Sequence, residues 1–235
     1  MINIVLCGQG AMGKTIEQEA TTYNNINIAG ILSPRNGQYG EDFGKVDVVI
    51  DFSNPVNLDF LIDYATRKKC ALLICTTGYS DDEKLRIEEA GKLIPVLLSS
   101  NTSVGINIMR KMLKLISNEL RDFDIDIVER HHNKKIDSPS GTAKTLAEDI
   151  KFVTGREEIE MHSLRSGTIP GEHLVIFSGT DEIIEIKHTA FSKKIFARGA
   201  LDIAIKLCKK AAGFYETEDM FEFKSKETGK IINIA

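Results

Sequence analysis

The chain has 235 residues, 42% hydrophobic and 27% charged, with 30 Lys+Arg against 34 Asp+Glu for a formal net charge of −4. At about 150 residues per domain this gives one or two domains, and the apolar content is too high for a disordered chain. No apolar run approaches the ~18–20 residues of a membrane span, and a mildly acidic chain is a poor general binder of nucleic acid.

In chain order, Ile2 to Cys7 reads as an apolar strand, Gly8 to Gly13 as a turn and Lys14 to Thr22 as a helix. Ile26 to Leu32 and Val46 to Ile50 are further strands. Pro55 to Lys68 is a helix with Pro near its first turn. Ala71 to Cys75 is a strand, Ser80 to Lys92 a helix with acids in its first turn, and Ile94 to Leu98 another strand. Strands alternating with helices predict a Rossmann-type parallel sheet covered on both faces. After residue 104 the pattern changes. Helices at Ile106 to Leu120 and Thr142 to Val153 mix with strands at Asp124 to Glu129, Glu160 to Leu164, His173 to Ser178 and Ile183 to Thr189. The last three strands have no helix between them, which predicts a smaller α+β domain with a mixed or antiparallel sheet. A final helix spans about Arg198 to Ala212, followed by a tail. The expected division is a dinucleotide domain at 1–104, completed by 194–235, and a substrate-binding and oligomerisation domain at 105–193.

Cys7, Cys70, Cys75 and Cys208 form no CxxC pair, and three lie in apolar stretches. They read as reduced thiols of a cytoplasmic protein. The N-terminus carries no basic leader and reads as the first strand, not a signal peptide.

Gly8, Gln9, Gly10, Ala11, Met12 and Gly13 spell G-x-G-x-x-G between a strand and a helix. The first glycine permits the tight turn, the second admits a pyrophosphate, and the third lets helix and strand pack closely. The same stretch also reads as G-x-x-x-x-G-K-T, with Lys14 and Thr15 in the phosphate and Mg²⁺ positions of a P-loop, and Val46 to Asp51 resembles its metal-binding strand. A P-loop phosphotransferase and a redox-sensing dinucleotide-binding module therefore stand as alternatives to a dehydrogenase. Strand two ends without the acid that would hold a ribose 2′-hydroxyl. Ser33 and Arg35 follow instead and suit a 2′-phosphate, which points to NADPH, alone or alongside NADH.

Glu129 to Thr142 carries Arg130, His131, His132, Lys134 and Lys135, then Ser140, Gly141 and Thr142 at a helix start. Free backbone N–H groups beside cations make an anion site for a small carboxylate substrate. His131 and His132 on one strand point to opposite faces, and lysines repel a cation, so no metal site is expected. Histidine and lysine here suit proton transfer.

Together, GQGAMG at 8–13, DFS at 51–53, TTG at 76–78, SSNTSVGINIM at 99–109, HHNKKIDSPSGTA at 131–143 and IPGEH at 169–173 resemble the dihydrodipicolinate reductase family of lysine and diaminopimelate biosynthesis. The resemblance decides the glycine turn for a dinucleotide. It implies reduction of a small dicarboxylate by NADPH and/or NADH, with Gly8 to Gly13 on the pyrophosphate. It places Thr76, Thr77, Gly78, Ser99, Ser100, Asn101 and Thr102 beside the nicotinamide. It makes His131 and Lys135 catalytic in proton transfer and assigns substrate carboxylate to His132, Ser140, Gly141 and Thr142. It also implies a homotetramer built through the second domain's sheet. The Ser33 to Lys45 loop is shorter than the family's, and the family's acidic cofactor residue has no counterpart.

Overall fold

Continuous apolar runs of four to seven residues, too short for helices, form the strands of a parallel sheet in the computed structural model, which describes residues 1–34 and 42–221. Its strands are β1 (Ile2–Cys7), β2 (Ile26–Leu32), β3 (Val48–Asp51), β4 (Ala71–Ile74), β5 (Pro95–Leu98) and β10 (Gly213–Tyr215). Their order is β10-β5-β4-β3-β1-β2, and every neighbouring pair is parallel. Alternation sorts each strand between two cores. Ile4, Leu6, Val48, Ile50, Ala71 and Leu73 face one layer, whose helices include α6 (Lys194–Leu207). Val5, Cys7, Val49, Leu72 and Ile74 face the other, with α2 (Leu58–Lys68) and α3 (Asp81–Ala90). Both faces are dry, which is why these strands carry no polar alternation.

The helix ends follow from local chemistry. Asn54 caps the 3-10 turn Pro55–Asn57 that leads into α2. Ser80 and Glu83 form a reciprocal capping box at α3, satisfying two backbone N–H groups. Helix α1 (Ala11–Ala20) starts three residues before the sequence-based expectation, because Gly10 accepts from the Lys14 amide and so begins the first turn. Helix α6 also lies earlier than expected. Lys194 and Arg198 pair with buried Glu19 on α1, fixing its start. At its end the Lys209 and Lys210 amides tighten to carbonyls three residues back. The expected tail then supplies an unanticipated edge strand, β10.

A second, mixed sheet has the order β7-β6-β8-β9, built from β6 (Asp124–His131), β7 (Glu160–Arg165), β8 (Gly171–Gly179) and β9 (Glu182–Ala190). β6 and β7 are parallel; β6 with β8 and β8 with β9 are antiparallel. Helices α4 (Val104–Glu119) and α5 (Gly141–Thr154) pack on one face, where Ile106, Met109, Leu113, Leu146 and Ile150 meet Ile125, Ile127, Val175 and Phe177. The other face bears no helix of this unit and carries Val128, Leu174 and Ile176 only partly buried.

Backbone contacts divide the chain into one unit of Met1–Ser103 with Lys194–Phe221 and a second beginning at Val104 and running to Lys193. Among the described residues no helix is long and apolar enough to cross a membrane.

Candidate functional site

The carboxyl ends of the parallel strands gather one group of the singled-out residues. Gly8 follows β1, with its neighbour Gly10 at the start of α1. Gly8 has φ +110°, and a Cβ there would overlap the Phe52 carbonyl oxygen. A Cβ on Gly13 would overlap the Gly8 carbonyl, so helix and turn touch backbone to backbone. At Gly10 the same test meets nothing within 4 Å. Helix α1 has no side-chain cap and no acid in its first turn. An open cradle above uncapped N–H groups fits a pyrophosphate.

Next to this turn, buried Asp51 ends β3. Its Oδ1 accepts from the Ser53 amide at 3.1 Å and the Ser53 hydroxyl at 2.5 Å. The Ser53 amide also donates to Thr76 Oγ1 at 2.8 Å, joining the ends of β3 and β4. Burial pushes the Asp51 carboxyl up, against the pull of the Ser53 hydrogen bonds. Burial also pushes the neighbouring Cys7 thiol up to about 12, so it stays protonated. Thr77 and Gly78 are exposed, and Gly78 turns the chain at φ +95°.

After β5, Ser99 and Thr102 spend their side chains within this unit. Ser99 Oγ accepts from Thr217 at 2.9 Å and from the Asn101 amide at 3.3 Å, and Thr102 donates to the Phe196 carbonyl at 2.7 Å. These bonds shape the loop and leave the side chain of Ser100 exposed. Ser33 is buried directly after β2, while Arg35 lies outside the described residues.

Lys14 is exposed on α1, and the Thr15 hydroxyl donates to the Ala11 carbonyl at 2.8 Å. The P-loop reading is corrected by the backbone: α1 starts at Ala11, inside the G-x-x-x-x-G-K-T stretch, so only a short turn after β1 remains where a phosphate loop would have to lie.

The second unit brings together the other group. On β6 the inward positions are Ile125, Ile127, Glu129 and His131, two residues apart as a strand requires. His131 Nδ1 lies 2.5 Å from Glu129 Oε2, and Glu129 is fully buried. The β6–β7 register sets Arg165 opposite His131. Its guanidinium grips both Glu129 oxygens, at 2.8 and 2.6 Å. Burial alone would raise the Glu129 carboxyl; the bonds from Arg165 and His131 outweigh it and hold it at about 2. For His131, burial outweighs the pull of Glu129, and Lys135 and Arg165 add repulsion, so its pKa is lowered. Burial thus favours the neutral imidazole.

The helix start of α5 joins the same cluster. The Ser140 amide donates to Glu129 Oε1 at 3.2 Å. Ser140 Oγ accepts from the Ala143 amide at 3.2 Å and lies 3.1 Å from His173 Nε2. Burial, reinforced by His131, pushes His173 down to about 3. Gly141 is exposed, and a Cβ there would meet nothing within 4 Å. The helix start has no acid in its own first turn, and the Gly141 amide donates to the Asp137 carboxylate. Lys135 closes the rim, paired with Asp137 at 2.8 Å. His132 Nδ1 is buried and has no hydrogen-bond partner among the described residues. Such an orphaned group fits a substrate carboxylate. Among the described residues no three His, Cys, Asp or Glu side chains are grouped to hold a metal.

Sequence reasoning assigned no role to Glu129, Arg165 or His173. Period-two counting along β6 could have paired Glu129 with His131. Arg165 enters only through the pairing of strands distant in sequence.

A family model described as dihydrodipicolinate reductase, N-terminus, matches residues 2–102, and one described as its C-terminus matches 105–221. The chain is 39% identical to a 4-hydroxy-tetrahydrodipicolinate reductase of Exiguobacterium sp., over 97% of this chain and 99% of the relative. It is 43% identical to the protein of that name in Clostridium tetani, over 94% of this chain and 97% of the relative. In fold it resembles a dipicolinate-bound dihydrodipicolinate reductase from Paenisporosarcina sp., with TM-score 0.78, 19% identity, and 94% of this chain and 100% of that one covered. An amine dehydrogenase from Mycobacterium smegmatis shares the fold at TM-score 0.59 and 9% identity, over 92% of this chain and 95% of that one.

Proposed function

The chain belongs to the dihydrodipicolinate reductase family, and on that premise we propose how its residues carry out the NAD(P)H-dependent reduction of 4-hydroxy-tetrahydrodipicolinate to tetrahydrodipicolinate. The supporting observation is the cluster of Glu129, His131, Lys135 and Ser140 at the start of α5, which sets proton-transfer groups beside the buried, unpartnered His132 Nδ1 of the same turn. A redox-sensing module would need the nucleotide turn alone and has no use for this cluster.

In the first unit, Gly8 to Gly13 hold the cofactor pyrophosphate, and Ser33 with Arg35 receive a 2′-phosphate. Thr76 to Gly78 and the backbone of Ser99 to Thr102 line the nicotinamide side. The bound dihydronicotinamide supplies the hydride. In the second unit, His132 with Ser140, Gly141 and Thr142 at the start of α5 holds the substrate carboxylates. Dipicolinate, the ligand of the Paenisporosarcina protein, is a dicarboxylate of the kind such a seat accepts. Lys135 donates the proton that accompanies hydride addition, and the substrate's 4-hydroxyl is lost as water. The Lys135 ion pair with Asp137 keeps the ammonium aimed. His131 acts in the same proton transfer. The cationic surroundings stabilise negative charge developing on the substrate. The helix-free face of the mixed sheet, with Val128, Leu174 and Ile176 at its centre, is the surface through which four cytoplasmic copies assemble.

A coupled assay tests this reading. Product made fresh by dihydrodipicolinate synthase is added to the protein with NADPH or NADH, and absorbance at the reduced nicotinamide band is followed. Oxidation that depends on the synthase product supports the reading. No oxidation of either cofactor defeats it.

A further inference from the structure

Glu129 is a fully buried carboxylate, and a buried ionised group survives only if it is paired and hydrogen-bonded. It accepts from three directions: His131 on its own strand, the Arg165 guanidinium from β7 and the Ser140 amide from the start of α5. Arg165 is itself held, donating also to the Asp137 and Leu164 carbonyls at 2.6 and 2.9 Å. The carboxylate therefore cannot swing, and neither can the ring it holds.

The other ring nitrogen, His131 Nε2, has no hydrogen-bond partner among the described residues. It faces buried Gly171, where a Cβ would press on it at 3.1 Å. The glycine keeps the atom clear. One nitrogen is thus hydrogen-bonded and the other left without a side-chain partner, the arrangement that fixes a neutral imidazole's tautomer.

We propose that Glu129 is a positioning residue for the proton-transfer step: it accepts the Nδ1–H of His131, fixing the tautomer whose Nε2 lone pair faces the reaction. This rests on the reading of His131 given above. When Nε2 takes a proton, the Nδ1–H stays in place and the carboxylate stabilises the imidazolium. Nε2, protonated from solvent, then passes that proton to the amine that Lys135 becomes on donating, so both groups end as they began. Arg165 balances the carboxylate and keeps the ring from being a permanent cation. The charged and titratable groups facing His131 are Glu129 on β6, Arg165 on β7, His173 on β8 and Lys135 in the turn.

Nitrogen-15 NMR of the unmodified protein with labelled histidine reads the tautomer directly. Above the ring's pKa the Nδ1–H form is expected, and an Nε2–H form overturns the inference. Glu129→Gln should lower kcat about 100-fold, the scale of a general acid–base contribution, with KM within about threefold. It should also move the apparent pKa of the kcat profile downward, since Glu129 supports the protonated ring. If Glu129→Gln strands Arg165 and the protein fails to fold, the Glu129→Gln, Arg165→Gln pair removes both charges and should show the same loss. A folded variant with the parent kcat and pH profile overturns the inference. His131→Ala separates the two readings. A slow His131→Ala beside an unaffected Glu129→Gln removes only the Glu129 role, while a fully active His131→Ala removes the assignment of His131 itself.

Discussion

The two regions that carry chemistry are made of different materials. The turn after β1 is built from backbone: Gly8 and Gly13 exclude side chains, Gly10 leaves an open cradle, and the groups on offer are amides. The cluster at the end of β6 is built from titratable side chains locked to one another. A backbone site tolerates any side chain that stays out of the way and fails when a Cβ enters. A side-chain site fails when one identity changes, even if every atom of backbone stays put.

The largest expected break in this comparison comes from the side-chain site. His131→Ala and Lys135→Ala should each lower kcat by ~10²–10⁴-fold, while NADPH binding, followed by fluorescence titration, is unchanged. Next comes the backbone site. Gly8→Ala puts a Cβ into the Phe52 carbonyl at φ +110°, so NADPH affinity should fall by at least about tenfold, with a strain cost of about 1–3 kcal/mol. Dipicolinate binding, measured by calorimetry, should survive it. A Gly8→Ala protein that binds NADPH normally would remove the distinction.

A third test uses acid. His173 titrates at about 3 when folded, against 6.5 for the free group. The unfolded chain therefore binds the extra proton first. Stability from the neutral ring is complete above pH 6.5 and is lost as pH falls toward 3. Glu129, held at about 2 against 4.5, adds a second loss lower down. Thermal melts at stepped pH should show His173→Gln flattening the upper part of this decline. An unchanged slope would mean that His173 is not the sensor. The smallest effect is expected from Ser140→Ala, which removes the cap on the Ala143 amide. It should cost about 1 kcal/mol, read as a small drop in Tm, with the nucleotide turn untouched.

The same contrast explains what could be read from the amino-acid order. Gly8, Gly10 and Gly13 lie within six residues, and strand-turn-helix is a local event, so the nucleotide turn was legible. So was the block from Glu129 to Thr142. Glu129 sat inside that block yet was masked by the basic residues around it; alternation along β6 would have turned it inward beside His131. Arg165 reaches Glu129 only through the β6–β7 register, which no local pattern encodes. The edge strand Gly213–Tyr215 is three residues long and gains its identity from pairing with β5. Helix α1 was placed late because Ala11 to Gly13 look like turn, whereas Gly10 already accepts the Lys14 amide.

Thr102 donates to the Phe196 carbonyl at 2.7 Å, and a Cβ on Gly199 would overlap the Thr102 carbonyl. The points where the chain leaves the first unit and where it returns are therefore neighbours. In topology the whole second unit is a single long loop let into the first. During synthesis the sheet must wait for some ninety residues before α6 arrives to cover Leu6, Ile50 and Leu73. For an engineer, the adjacent ends mean that a short glycine–serine splice from Ser103 to Lys194 should excise that loop and leave a free-standing nucleotide-binding fold.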